Sequence, residues 1–166
     1  MDEQTRVTVT NPRTQANCDK QSYTDYEITI QSDNSAFWLP QSTVRRRYSE
    51  FVWLREKLQR TGRELPDMPH KTLFRRFDNA FLESRCEGLE RFLQSIIQKK
   101  VFLADRRVHL FIQSQLTTNE IDGIVSGDYR YDETLTMAQR KDRTTSTAET
   151  DHELSDELSD IEKEEQ

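Results

Sequence analysis

The sequence predicts an α+β fold in which a three-stranded antiparallel sheet packs against a helical subdomain. Apolar and polar residues alternate in three segments before residue 49, which is the pattern of half-buried strands. After that point the apolar residues recur at helical spacing, as they do along one face of a helix. We expect a domain over residues 1–116, a helical extension over 117–140 and a disordered acidic tail over 141–166.

Three strands account for the first part of the chain. Residues 6–10 alternate in polarity, and the Asn-Pro pair that ends at Pro12 is expected to end this strand. Residues 26–30 show the clearest alternation of the three segments. The third strand is predicted from about residue 36 to residue 48, and Pro40 within it predicts an edge strand or a bulge.

Two helices and a loop follow the strands. Ser49 is the predicted N-cap of the first helix, and Gly62 is expected to end it. Residues 63–77 contain two prolines and no helical spacing, so they are predicted to form a loop. The longer second helix is predicted over residues 79–99, where apolar residues follow one face.

Helix-capping signals mark the rest of the chain before the tail. Asp105 is placed to cap a further helix. Thr117 and Glu120 match a capping box, and Gly127 is the expected end of the helix that the box begins. A weaker pattern predicts one more short helix over residues 131–139.

Charge is distributed unevenly along the 166 residues, whose formal net charge is −6. Nine acidic residues and one lysine give residues 144–166 a charge of −8, so the rest of the chain carries +2. No apolar run approaches the roughly 20 residues that span a bilayer, and the polar start is unlike a secretory signal. We therefore expect a reducing cytoplasmic compartment, with Cys18 and Cys86 as unpaired thiols.

The stretch VRRRY, residues 44 to 48, places three cations directly before an aromatic ring at the junction of a strand and a helix. Strand geometry points Arg45 and Arg47 to one face, and Arg46 and Tyr48 to the other. An arginine beside a ring suits an anion with a cyclic body, because guanidinium pairs with phosphate oxygens and the ring offers a surface for stacking. The alternative is a solvated edge strand whose charges prevent aggregation.

A second cation lies where the helical pattern predicts an apolar face. Arg85 is three residues after Leu82 and four before Leu89, so it must extend to solvent, pair with an acid or bind an anionic ligand. The 63–77 loop adds Lys71, which suggests that cations from separate segments surround one pocket. The same loop interleaves large apolar residues with cations. This pattern suits entry into an anionic membrane surface, although packing of the aromatic residues into the core is an alternative.

Three segments together resemble one known family. Residues 46–51 resemble the RRYxxF signature of phox-homology (PX) domains, and residues 66–71 resemble the proline-rich loop of that family and the lysine that follows it. Residues 85–93 resemble the R-x-x-G-L-x-x-F stretch of the next helix in the family. The resemblance covers about residues 5–116. The VRRRYxEFVWLR string and the helical extension resemble the short extended-PX sorting nexins, of the ten and eleven type.

The resemblance implies a pocket for the headgroup of phosphatidylinositol 3-phosphate. In such a pocket Arg47 would bind the 3-phosphate, and the ring of Tyr48 would pack on the inositol. Lys71 would meet the 1-phosphate, and Arg85 would hydrogen-bond the 4- and 5-hydroxyls. The residues expected to enter the bilayer are Leu73, Phe74 and Phe77.

These expectations describe a peripheral protein on the cytosolic face of endosomal membranes, acting in protein sorting. The alternative is a protein-interaction scaffold in which residues 117–140 dock a partner and lipid binding is secondary. A nucleic-acid partner is not expected, because the charge of +2 is low for such a protein. No enzyme activity, cofactor or metal is expected, since the glycines do not cluster and the histidines are isolated. A monomer is expected because no heptad repeat is found.

Overall fold

The computed structural model describes residues 4–16, 22–72 and 78–128. All of these belong to one compact unit, residues 1–134, and the second unit, residues 135–166, lies outside the described residues. In chain order the strands and helices are β1 (Thr5–Ala16), β2 (Ser22–Ser32), β3 (Gln41–Arg47), α1 (Tyr48–Gln59), α2 (Asn79–Ile97), α3 (Lys100–Leu103), α4 (Arg106–Gln113) and α5 (Thr118–Ser126).

The three strands form an antiparallel sheet in the order β1-β2-β3, so the predicted fold class is confirmed. The register aligns apolar residues of neighbouring strands, with Val9 opposite Ile28 and Ile28 opposite Val44. All three are buried, because strand alternation turns them to the same face. Helices cover that face and complete the core, whose largest fully buried side chains are Tyr26, Phe51, Phe92, Phe102 and Phe111.

Strand β1 is longer than predicted. The expected end at Asn11–Pro12 is wrong, because the strand continues to Ala16 across a β-bulge between Thr10 and Arg13. Asn11 takes the left-handed conformation with φ of 51°, which asparagine tolerates better than most residues. Pro12 therefore lies within the bulge, where it need not pair, and pairing with β2 resumes beyond it.

Strand β3 and helix α1 begin at positions that differ from the prediction. The third strand begins at Gln41, whereas residues 33–40 form turns, so Pro40 precedes the strand instead of interrupting it. Phe37 anchors these turns in the core. The predicted N-cap at Ser49 is also wrong, because the helix already begins at Tyr48 and Arg47 occupies the cap.

Helices α1 and α2 end at Gln59 and Ile97, before the predicted ends, whereas the caps of α4 and α5 follow the local signals. Asp105 Oδ1 accepts from the amide of Arg107, and the capping box of Thr117 and Glu120 begins α5, as predicted. Gly127 ends α5 in the left-handed conformation, with φ of 89°. Helix α3 was not predicted. The expected helix over 131–139 and the acidic tail lie outside the described residues.

Helix α5, the described part of the predicted extension, packs on the preceding helices within the same compact unit. Ile121 and Ile124 form a buried cluster with Leu110 and Leu116. Asp122 Oδ2 also accepts from Trp53 Nε1 at 3.1 Å, and it pairs with a lysine of α1 at 2.7 Å. Within the described ranges, no helix combines the length and the apolar character that a bilayer span requires.

Candidate anion-binding site

The first of the three consecutive arginines is occupied by ion pairs on the outer face of the sheet. Arg45 Nε lies 2.5 Å from Asp25 Oδ1, and its Nη1 lies 3.1 Å from Glu27 Oε2. Burial alone would raise the pKa of Asp25, but hydrogen bonds from Arg45 and Arg13 outweigh it and lower that pKa. Arg45 therefore stabilises the pairing of β2 and β3, and its charge is already compensated.

The second arginine is buried and entirely used by the fold. Arg46 is 3% exposed, and its guanidinium carbon lies 4.9 Å from the centroid of the Phe111 ring. It donates to Glu50 Oε1 at 3.0 Å and to the carbonyl oxygens of Phe111 (3.0 Å), Leu110 (3.3 Å), Ser114 (2.9 Å) and Leu116 (2.6 Å). Since its donors are engaged inside the protein, Arg46 is not available to a ligand.

The third arginine presents its charge at the surface. Arg47 is exposed, and its guanidinium carbon lies 3.7 Å from the centroid of the Tyr23 ring. Within the described part of the chain no carboxylate pairs with its side chain. A guanidinium stacked on a ring in this way keeps its edge donors free, so it can receive the oxygens of an anion.

Arg85 is a buried cation beside the Tyr48 ring. It is 7% exposed, and its guanidinium carbon lies 4.2 Å from the centroid of Tyr48 and 4.4 Å from that of Phe81. Its Nη2 donates to the carbonyl of His70 at 3.2 Å. Among the described residues no carboxylate pairs with it, and its buried Nε makes no hydrogen bond of good geometry. Within residues 4–16, 22–72 and 78–128, Arg85 therefore neither pairs with an acid nor extends fully to solvent.

A second buried polar atom lies near Arg85. The hydroxyl of Tyr26 is buried and also lacks a hydrogen bond of good geometry within the described ranges. Burial raises the pKa of Tyr26, while its hydrogen-bonding interaction with Arg85, and then the positive charge of Arg85, act in the opposite direction. A buried guanidinium without an anionic partner is costly, so the arrangement favours a ligand that brings oxygen acceptors.

The loop that carries Lys71 is held against these residues by its backbone. The Tyr48 hydroxyl donates to the carbonyl of Pro69, and Arg85 donates to the next carbonyl along the chain. Burial raises the pKa of Tyr48, and the charges of Arg85, Arg55 and Lys71 oppose that rise. Lys71 therefore lies close enough to act on the same ring that Arg85 contacts.

Tyr48, Lys71 and Arg85 are thus brought together, and Arg47 adjoins them at the end of β3. Sequence reasoning missed Tyr23 and Arg55. Arg55 follows Tyr48 by two helical turns, a spacing that could have indicated it. Tyr23 meets Arg47 only through the register of β2 and β3, which the sequence does not show. The expected membrane-insertion residues Leu73, Phe74 and Phe77 lie outside the described residues.

Comparison with known proteins identifies the family of this chain. A family profile described as "PX domain" matches residues 35–115. A solved structure titled "X-ray structure of a designed CISK-PX domain" is 30% identical, with a TM-score of 0.56, and the match covers 66% of this chain and 99% of that one. Human sorting nexin-10 is 42% identical over 128 residues, which are 75% of this chain and 64% of that protein.

The chain is a PX-domain sorting nexin. Human sorting nexin-11 is 43% identical over 123 residues, which cover 73% of this chain but only 46% of that protein. The chain therefore spans between about half and two thirds of the length of these curated relatives. The resemblance to PX domains, and to sorting nexins of the ten and eleven type, is confirmed. As a sorting nexin, the chain has its candidate site at the end of β3, beside α2.

Proposed function

We propose that this sorting nexin is a peripheral membrane protein that binds phosphatidylinositol 3-phosphate and acts in endosomal sorting from the cytosolic side. The observation that carries the proposal is Arg85, a buried cation without a carboxylate partner in the described residues, stacked on Tyr48. In the part of this site that the structure describes, the side chains offer binding groups, and we propose a recognition role without catalysis.

The chemistry of the four residues fits a phosphorylated inositol ring. Arg47 presents at the surface a guanidinium that no carboxylate of the described residues pairs with, which suits a phosphate dianion. Tyr48 offers an aromatic surface for the apolar face of the ring. The Arg85 guanidinium lacks a carboxylate partner among the described residues, and the hydroxyls of a ring held over Tyr48 would supply oxygen acceptors to it. Lys71, on the loop beside them, would meet the phosphate that joins the ring to the lipid tails.

Membrane attachment needs a contribution besides the headgroup, because a single headgroup contact binds modestly. We propose that Leu73, Phe74 and Phe77 supply it by entering the bilayer next to Lys71. Exposed cations near the surface would add roughly 1 kcal/mol each on anionic membranes. Salt should weaken this nonspecific part first, since it screens exposed charges more than partly buried ones.

Liposome flotation across vesicles that each carry one singly phosphorylated phosphoinositide tests the proposal. We expect binding to the 3-phosphate lipid, lost in Arg47→Ala and strongly reduced in Tyr48→Ala. The matched control is Arg6→Ala, which removes an exposed cation from the opposite end of the sheet and should bind like wild type. Equal binding to every anionic vesicle, unaffected by Arg47→Ala, would contradict a specific pocket.

The scaffold alternative receives less support from the described part of the extension. Ile121 and Ile124 of α5 are buried against the domain, so this apolar face is already occupied. A protein partner of residues 117–140 would have to use other surfaces of the extension. Lipid recognition therefore remains the primary proposal, with a monomer as the proposed state.

A further inference from the structure

Arg46 connects the C-terminal end of α4 to the start of α1. It binds carbonyl oxygens at the end of α4 and in the linker of residues 114–117 that leads to α5. Burial lowers the pKa of Arg46, and the charges of Glu50 and Glu120 oppose that change. One buried cation therefore interacts with acidic residues in the first turns of both α1 and α5.

Glu50 extends this connection to the candidate site. Its Oε1 accepts from Arg46 Nη1 at 3.0 Å, and its Oε2 accepts from the backbone amide of Arg47 at 2.7 Å. Arg47 is the cap residue at which the chain turns from β3 into α1, so its backbone sets the direction of its side chain. We call the linked pair the Arg46–Glu50 bridge.

We propose that the Arg46–Glu50 bridge couples the closed position of the linker 114–117 to the position of Arg47. Arg46 and Glu50 are then positioning residues for the anion that Arg47 binds. The inference rests on the proposed function, because it needs a ligand at Arg47. It adds that headgroup binding depends on how the extension is attached.

The coupling follows from shared hydrogen bonds. When the linker opens, Arg46 loses carbonyl acceptors and its guanidinium reorients. Glu50 then loses its fixed partner, and the amide of Arg47 loses a fixed acceptor. Thermodynamic linkage makes the effect reciprocal: a ligand that favours the ordered Arg47 must favour the closed linker by the same factor.

A purely structural role for the bridge predicts something different. Variants of Arg46 or Glu50 would then lower the stability of the fold, but a bound headgroup would not change how often the linker opens locally. Local opening of the linker is measurable by amide hydrogen exchange, because amides that open without global unfolding report their own segment.

The experiment is hydrogen exchange on the full chain, with and without saturating soluble short-chain phosphatidylinositol 3-phosphate. The reporters are the amides of Ser114 and Ile121, which donate to Leu110 O at 3.1 Å and to Thr117 O at 2.9 Å. In the wild-type protein, we expect the lipid to slow hydrogen exchange at both amides by about fivefold or more. The exchange of the Phe102 amide in α3, which donates to Lys99 O at 2.9 Å, should change little.

Glu50→Gln is the decisive variant, because it keeps the side-chain shape and removes the charge that joins Arg46 to Arg47. At saturating lipid we expect the slowing at Ser114 and Ile121 to disappear. Asp122→Asn is the matched control, since it loosens α5 from α1 without touching the bridge. In this variant the reporter amides should exchange faster both with and without lipid, and lipid should still slow their exchange.

Two results would overturn the coupling. The first is that the wild-type protein binds the lipid and amide exchange at the linker does not slow. The second is that lipid still slows amide exchange in the Glu50→Gln variant. If Glu50→Gln does not fold, Glu50→Asp shortens the bridge and must give the same loss. Wild-type protein that binds none of the lipid contradicts the proposed function itself, which separates that failure from a failure of the coupling.

Discussion

Pro69 packs directly on Gly88, at the point where the loop that carries Lys71 crosses α2. A Cβ atom added to Gly88 would lie 2.2 Å from Pro69 Cγ, far inside van der Waals contact. Glycine is required here by a close approach, in the middle of a helix where it is otherwise unfavourable. The neighbouring loop carbonyls are the ones that accept from Tyr48 and Arg85, so this contact sets the distance between the loop and the site.

Gly88→Ala should therefore displace the loop and weaken headgroup binding. In a helix without the clash this change would stabilise the protein by up to about 1 kcal/mol. Here we expect a loss of about 1–3 kcal/mol in the free energy of unfolding, as for other overpacked sites. Urea denaturation and titration with short-chain lipid measure the two effects. An unchanged or stabilised Gly88→Ala protein with wild-type affinity would show that the loop is free to move.

Tyr23 should contribute to binding without touching the ligand, because its ring holds the Arg47 guanidinium at 3.7 Å. The Tyr23→Ala variant lacks the ring, so the Arg47 side chain is no longer held in place. We expect the affinity for the headgroup to fall by roughly 2- to 30-fold, the range of a cation–π contact. Tyr23→Phe keeps the ring and should retain most of the affinity. Isothermal titration of both variants measures this. Equal affinities for the Ala and Phe variants would remove Tyr23 from the site.

Arg46→Met should destabilise the fold strongly. The change removes the buried Arg46 donors from Glu50 and from four carbonyl oxygens, of which Leu110 O keeps the Ser114 amide, and breaking such a buried pair costs about 3–5 kcal/mol. Arg107→Met serves as the control, because Arg107 is partly exposed and pairs with acids near the surface. It should cost less than about 1 kcal/mol. Comparable losses in urea unfolding for the two variants would argue against a special role for Arg46.

Acid should weaken the fold partly through Asp25. Burial would raise its pKa, yet Arg45 and Arg13 bring the folded-state pKa below the ordinary value of 3.8. Because the folded pKa is depressed, the stabilisation is complete above the unfolded pKa and is lost as pH falls through the folded one. The wild-type protein should therefore have a higher free energy of unfolding than Asp25→Asn at neutral pH, and this difference should be lost below about pH 4. Urea midpoints measured against pH test this, and a difference that is constant at every pH would contradict it.

Phe74→Asp separates membrane insertion from headgroup recognition. If Phe74 enters the bilayer, the charge should weaken vesicle binding and leave the affinity for a soluble headgroup unchanged. Flotation and titration on the same protein provide the two measurements. A parallel loss in both assays, together with a lower melting temperature, would place Phe74 in the core instead.

Local signals predicted several elements correctly because each depends on neighbours in the chain. Helix caps act within one helical turn, so the sequence alone predicts them. The examples here are Asp105, the Thr117–Glu120 box and Gly127. Strand ends were predicted less well. Strand β1 passes Asn11 because β2 offers it partners beyond the bulge, and no local pattern reveals a pairing partner.

The candidate site also has features that the sequence predicts and features that depend on the fold. The sequence determined the α+β class, the position of Arg85 on an apolar face, and the grouping of cations that resembles a PX domain. Which of the three adjacent arginines is available to a ligand follows from the folded structure. Arg46 is occupied by carbonyl groups 64 to 70 positions away in the chain, whereas Arg47 stacks on the Tyr23 ring and pairs with no carboxylate of the described residues. The availability of a cation depends on the acceptors that folding brings to it, and these acceptors are distant in sequence.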